Sequence, residues 1–216
     1  MKLKEIGIWT LVVGILIGGL WLLVAAVNNS SSPSNPISIT APEITKDDFS
    51  IGTASAKVTL IEYGDFQCPA CGKYFPFVKN LESDFKNDLK IIYRFFPLNN
   101  IHPNAMIAAQ AAYAASKQNK FWEMHDKLYE NQDLWANTQP RNIFIDYAKE
   151  LGLNLDRFGA DIDDNATRKF INDEEDKGTS AGVNSTPTFF VNGKSISNPS
   201  TYEEFKKIIQ NEINKK

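Results

Sequence analysis

The sequence predicts an α/β fold carrying an inserted all-helical subdomain and preceded by one N-terminal transmembrane helix. Three observations predict it. β-Branched, apolar runs at Lys57–Tyr63 and Leu89–Phe96 flank a stretch of helical spacing, and strand signals return only at Thr188–Val191. Between them, over about residues 100–180, the apolar spacing is helical throughout. Ahead of all of these, Ile6 to Val27 holds no charged residue.

As a helix the uncharged run would be about 33 Å long, close to the ~30 Å hydrocarbon thickness of a bilayer. Trp9 and Trp21 lie near its two ends, where indole rings favour the headgroup level. Lys2 and Lys4 precede it and residues 28–36 carry no charge. The positive-inside rule therefore keeps residues 1–5 cytoplasmic, places the span at residues 6–27 and exports the chain beyond Val27. The expectation is a single-pass protein of the cell membrane with its folded domain extracytoplasmic. The alternative is a cleaved secretory signal ending near Val24-Ala25-Ala26, but the run exceeds the usual signal core, which favours a signal-anchor. Residues 28–48 begin with a Ser/Asn/Pro cluster and read as a flexible linker with a reach of roughly 25 Å. The folded domain is expected over residues 49–216.

Phe49–Ile51 reads as a short edge strand and Lys57–Tyr63 as a buried one. A helix runs from about Cys68 to Lys86, with Pro76 inside it, and then comes the strand Leu89–Phe96, stopped by Pro97. The insertion opens on Asn104–Ser116, with Ala105, Ala108, Ala109, Ala112 and Ala115 marking one face. Helical spacing continues through Phe121–Tyr129, Ile143–Leu151, a short segment at Leu155–Ile162 and a charged one at Asn165–Thr179. Trp122, Trp135, Phe121 and Phe144 read as core of this block. Thr188–Val191, the Asn192-Gly193 turn and Lys194–Ser197 form a hairpin. Thr201 can cap the last helix, with Glu204 completing a capping box.

With 43% hydrophobic residues and 14 Phe in 216, the chain can build a real core. A formal net charge of −3 gives no reason to expect a nucleic-acid partner. The only two cysteines, Cys68 and Cys71, stand in Cys-Pro-Ala-Cys directly after a buried strand and at the start of a helix. In an exported domain cysteines usually staple distant segments, yet a bridge between positions 68 and 71 closes almost no loop. Redox chemistry is the better reading. Unpaired N–H groups at the helix N-terminus favour a thiolate on Cys68, the expected nucleophile. Cys71, one turn further in, is the resolving thiol. Two close thiolates could instead bind Cu(I) or zinc. Zinc would need further ligands, for which only His102 and His125 are at hand. No metal site is expected.

The strand-CPAC-helix, the helical block and the distant Thr186-Pro187-Thr188-Phe189-Phe190-Val191-Asn192-Gly193 hairpin together resemble the thioredoxin fold in its DsbA-like branch, the exported thiol–disulfide oxidoreductases. Phe96-Pro97-Leu98, His102-Pro103-Asn104-Ala105, Lys120 to His125 and Leu151-Gly152-Leu153 are similar to the insertion of membrane-anchored, Gram-positive-type members. The match spans roughly residues 45–213. It implies a protein disulfide oxidoreductase, with no cofactor beyond the redox-active Cys68–Cys71 disulfide. It implies that Pro187 is a cis-proline against the cysteine pair. It also implies that Thr186, Pro69 and Ala70 are substrate-binding positions, the Thr186 backbone pairing with an extended substrate. The alternative for Pro187 is a strand opener. Glu62, in the strand before the cysteines, is implied to lie beneath the disulfide and to move the resolving thiol's proton; its alternative is a strand-end carboxylate reaching water. Implied partners are exported cysteine-containing proteins and a membrane thiol-oxidising protein, DsbB-like or VKOR-like. Many relatives have Pro-His between the cysteines; Ala70 lacks that imidazole, so a less oxidising pair is expected. Oxidase activity is the expected direction, with reductase or isomerase activity and a non-enzymatic Cu(I)-binding or metallochaperone role as alternatives.

Overall fold

The computed structural model describes residues 17–19, which are helical, and residues 39–215. The expected cytoplasmic residues 1–5, most of the expected span 6–27 and linker residues 28–38 lie outside the described residues. Among those described, no helix is long and apolar enough to cross a membrane.

The compact unit that begins at Ile39 is built on a five-stranded sheet. Its strands are β1 (Phe49–Gly52), β2 (Val58–Gly64), β3 (Leu89–Phe95), β4 (Thr188–Val191) and β5 (Lys194–Ile196), in the spatial order β1-β3-β2-β4-β5. β2 and β3 are parallel, with Glu62 beside Tyr93. Parallel neighbours need a crossover, which α1 (Pro69–Asp84) supplies. The β4–β5 hairpin turns at Asn192 and Gly193, both with positive φ, as the Asn-Gly pair predicts. Thr201 Oγ1 accepts the Glu204 N–H and caps α8 (Tyr202–Asn214), while Glu204 reaches back to the Ser200 N–H, one residue before the capping-box position.

The central strands are buried on both faces, as their continuous apolar runs require. Leu60, Leu89, Ile91 and Phe189 pack with Val78 and Leu81 of α1 and Phe205 and Ile209 of α8. Ile61, Tyr63, Ile92 and Phe190 pack on the other side with Phe96 and Val183. Between β3 and β4 comes the expected insertion, six helices: α2 (Ala105–Ser116), α3 (Phe121–Glu130), α4 (Gln132–Trp135), α5 (Arg141–Glu150), α6 (Leu155–Ile162) and α7 (Asn165–Ser180). Trp135, Phe144 and Phe121 are core, while Trp122 is partly buried and donates to the Ser50 carbonyl. The single alanine face expected for α2 is a correction: Ala111 and Ala114 are buried as well as Ala108, Ala109, Ala112 and Ala115. Small side chains let α3, α5, α6 and α7 all close on it. The short α4 had no periodic signal.

A second correction concerns the linker. Its last part, residues 39–48, is docked rather than flexible. Ile39 and Ala41 pack on the sheet, and the Ala41 and Ser195 N–H groups donate to the Gly193 and Ile39 carbonyls. Arg94, on β3, closes the arrangement. Its Nε and Nη2 donate to Asp48 at 2.6 and 3.0 Å, and its remaining donors go to Tyr63 Oη and the Pro42 and Glu43 carbonyls. Both side chains of the ion pair are only 4% exposed. Composition marked these residues as a tether because a buried pair 46 positions apart leaves no local signal. Asp48→Ala strands the guanidinium and is expected to lower stability by about 3 kcal/mol or more. Urea denaturation of parent and variant measures this; a loss within the about 1 kcal/mol of an exposed pair would refute it.

Candidate active site

β2 delivers the chain to Gly64, a turn through residues 65–67 comes next, and α1 starts with Cys68 as its N-cap. Pro69 stands in the first turn, where a missing N–H costs nothing and a fixed φ suits the helix. Cys68 and Cys71 are both free thiols, buried to 6% and 0% exposure, and Pro69 and Ala70 between them are exposed. The Cys68 sulfur reaches the Thr186 carbonyl at 3.4 Å. Thr186–Pro187 is a cis peptide bond. Two residues 118 positions apart are thus brought to one sulfur.

The two thiols are driven in opposite directions. A hydrogen bond from the Cys71 thiol is the largest cause that lowers Cys68 from 9.0 to about 5. Burial opposes it, and the Thr186 side chain and the N–H groups of Cys71 and Ala70 add to it. The Thr186 hydroxyl is buried with no partner that satisfies hydrogen-bond geometry in this thiol state; its pull on Cys68 belongs to the thiolate. Cys71 is pushed well above its ordinary value, first by burial and then by donating to Cys68 and by the Glu62 charge.

Glu62 lies in β2, 3% exposed, between Tyr93 and Phe189 in register, with Oε1 lacking a partner. It does not reach water as a strand-end carboxylate. Burial, and secondarily the charge on Cys68, raises its pKa from 4.5 to about 8. A carboxyl that is neutral at pH 7 and electrically coupled to both sulfurs can give or take a proton there.

The two histidines are engaged elsewhere. His102 Nδ1 lies 2.6 Å from Asp65 Oδ2, and buried His125 pairs with Asp126 inside a ring of aromatic side chains that includes Tyr93, Trp122 and Tyr129. Among the described residues no group of three or more His, Cys, Asp or Glu is placed to hold a metal ion.

Sequence reasoning missed three polar residues that hold the turn before Cys68. Buried Asp65 accepts the Gln67 N–H at 2.8 Å and the Leu98 N–H at 3.0 Å. Gln67 Nε2 donates to the Ala136 carbonyl and its Oε1 accepts the Asn104 N–H, both at 2.6 Å. Gln132 Nε2 donates to the carbonyls of Phe66 and Cys68 at 2.6 and 3.0 Å. Asp65 after Gly64 carries a turn signal that could have found it; Gln67 and Gln132 carry none. Gln67, Pro69, His102 and Gln132 also line an open groove of about 930 Å³ beside the cysteines.

A family model described as Thioredoxin matches residues 44–211. Among solved structures, BdbD from Bacillus subtilis in its oxidised form superposes with a TM-score of 0.71 at 25% identity, covering 82% of this chain and 98% of that one. Wolbachia pipientis alpha-DsbA1 superposes with a TM-score of 0.69 at 21% identity, covering 81% and 94%, a likeness of fold. Similar curated sequences carry the name Na(+)/H(+) antiporter NhaA 1. The protein from Salinispora arenicola is 43% identical over 143 residues, 66% of this chain and 21% of its own length. One from Mycobacterium sp. is 33% identical over 199 residues, 87% of this chain and 31% of its own. The chain thus spans about a fifth to a third of the length of these relatives. With the family match over most of the chain, the inserted helices and a cis-proline facing a Cys-Pro-Ala-Cys pair, the chain belongs to the thioredoxin family, with DsbA-type thiol–disulfide oxidoreductases as its structural neighbours.

Proposed function

We propose that this protein is an extracytoplasmic disulfide oxidase, held at the cell membrane by residues 6–27, that passes its Cys68–Cys71 disulfide to exported cysteine-containing proteins. The opposed behaviour of the two thiols carries the reading. A thiolate stabilised on Cys68 lowers the energy of the reduced pair, which makes its disulfide a stronger oxidant.

In the forward step a target thiolate attacks the Cys68 sulfur. The Cys68–Cys71 bond breaks, Cys71 leaves with the bonding electrons, and the neutral Glu62 carboxyl supplies its proton. The target's second thiolate then attacks the target sulfur of the mixed disulfide and expels Cys68 as a thiolate. The target has lost two electrons and two protons. The electrons reside on the cysteine pair; one proton replaces that taken from Glu62, and the other goes to solvent, since Cys68 stays ionised above about pH 5. The Thr186 backbone, beside cis-Pro187 and next to the sulfur, offers an edge on which an extended target segment can align, with exposed Pro69 and Ala70 as further contacts. A membrane thiol-oxidising protein, DsbB-like or VKOR-like, then takes the two electrons and restores the disulfide. No cofactor is needed beyond that disulfide. The antiporter name belongs to the longer relatives, and nothing in the cysteine site serves ion transport.

Equilibration with glutathione fixes the direction. Ala70 withholds the extra stabilisation of a histidine, so a potential between about −120 and about −230 mV is expected. A value near about −270 mV, that of a reducing thioredoxin-type pair, would overturn the oxidase assignment and favour the reductase.

A further inference from the structure

The turn that presents Cys68 is held by the inserted helices. Cys68 caps α1 with its backbone alone: no side chain caps the helix, and its carbonyl accepts the Gly72 N–H at 3.1 Å. The same carbonyl, and that of Phe66, receive the side-chain amide of Gln132. Gln132 opens α4, whose position is secured by fully buried Trp135, donating from Nε1 to the Leu128 carbonyl at 2.8 Å. On the other side of the turn, Gln67 ties the same segment to Ala136 and Asn104.

We propose that Gln132 is a positioning residue for the nucleophile: from the insertion, its amide holds the Phe66 and Cys68 carbonyls so that the first-turn N–H groups of α1 face the Cys68 sulfur. The proposal rests on the disulfide-exchange reading above and adds that the insertion sets the redox poise of the pair. Two effects act with one sign. Clamping two peptide planes limits rotation of the turn, which holds the Cys68 sulfur at the start of α1 and against the Thr186 carbonyl. The amide also satisfies the negative ends of two carbonyl dipoles close to an anion, and removing it leaves them uncompensated.

Gly72 supplies an independent handle. A Cβ built there would lie 2.6 Å from Gln132 Oε1, 3.1 Å from Cδ and 3.3 Å from Nε2. The amide therefore sits in the space that a side chain at position 72 would fill. Alanine is otherwise the better helix former, so Gly72→Ala crowds the amide, moving Oε1 and straining the Nε2 hydrogen bonds, without weakening α1 or replacing Gln132. Gln132→Met removes the donor while keeping the approximate size and shape of the side chain.

The test titrates the Cys68 thiolate by its ultraviolet absorbance and measures the equilibrium between reduced protein plus glutathione disulfide and oxidised protein plus two glutathione thiols. The full-length protein and both variants are compared. Gln132→Met is expected to raise the Cys68 pKa by about one unit and to weaken the disulfide as an oxidant about tenfold. Gly72→Ala should move both readouts the same way, and the double variant no further than the larger single effect. Both variants staying within about twofold of the parent in thiolate fraction and equilibrium constant would overturn the proposal. Should Gln132→Met fail to fold, Gly72→Ala decides alone. A parent that does not exchange with glutathione would refute the functional reading instead; the thiolate titration, which needs no exchange, would still decide the role of Gln132.

Discussion

Cys71→Ala protein accumulates stable mixed disulfides with its targets through Cys68, whereas Cys68→Ala protein accumulates none. The asymmetry arises from burial and charge. Cys68 is the sulfur at the helix N-terminus, its thiolate favoured down to about pH 5, while Cys71 has no solvent exposure and holds its proton. Only the first can meet an incoming sulfur, and within this protein only the second can release the target from it. Without Cys71 the Cys68 thiolate can still attack a disulfide of a target, although it loses the hydrogen bond that most favours it. Release is then left to a second thiol of the target, so the mixed disulfide should persist longer than in the parent. Non-reducing electrophoresis of cells expressing each variant, and then reduction of the same samples, reads this directly. Mixed disulfides through Cys71, or through neither cysteine, would refute the assignment of roles.

Glu62→Gln removes a pH dependence that the oxidised protein should display. The carboxyl is ionised above about pH 4.5 in the unfolded chain but stays neutral to about pH 8 when folded, with burial as the main cause. Its folded value is raised, so its contribution is most favourable below pH 4.5 and is lost as pH rises through the folded value. In the oxidised protein Cys68 carries no charge and burial alone raises this group. Stability should therefore fall by up to about 1.4 kcal/mol per pH unit as pH rises above about 4.5, over a window that closes below the value of about 8 reached beside the Cys68 thiolate. In the reduced protein Cys68 acts with the opposite sign. Its folded value is depressed from 9.0 to about 5, so its stabilisation is complete above about pH 9 and gone below about pH 5. The reduced protein should thus show the flatter profile. Urea denaturation of the oxidised parent and of Glu62→Gln from about pH 5 to about pH 8 separates them; parallel profiles would mean that Glu62 is ionised in place and cannot serve as the proton source for Cys71.

Much of the fold and half of the site were legible in the chain. β2 and β3 announce themselves as apolar runs because they are buried on both faces, and the Asn192-Gly193 turn because few residues accept positive φ. Cys68 and Cys71 were legible because two thiols at that spacing have few other uses at a helix start. The cis form of Thr186–Pro187 came only through the family likeness, since a proline in sequence argues for trans. The docking of residues 39–48 leaves no local signal, because Asp48 finds Arg94 only after folding. α4 and the clamp made by Gln132 were invisible for the same reason.

The sequence alone determined the chemistry available to this protein: a strand, a helix N-terminus and two thiols one turn apart are local features, written in consecutive residues. Its charge-free residues 6–27 likewise carry the expectation of an anchor in a single stretch. Tertiary structure decided how strongly that chemistry is biased. Burial of Glu62 and Cys71, the approach of Thr186 to the Cys68 sulfur and the grip of Gln132 on the Cys68 carbonyl all join residues far apart in the chain. Desolvation and hydrogen bonding act through space at a few ångströms, so the thiolate preference exists only once those segments have met.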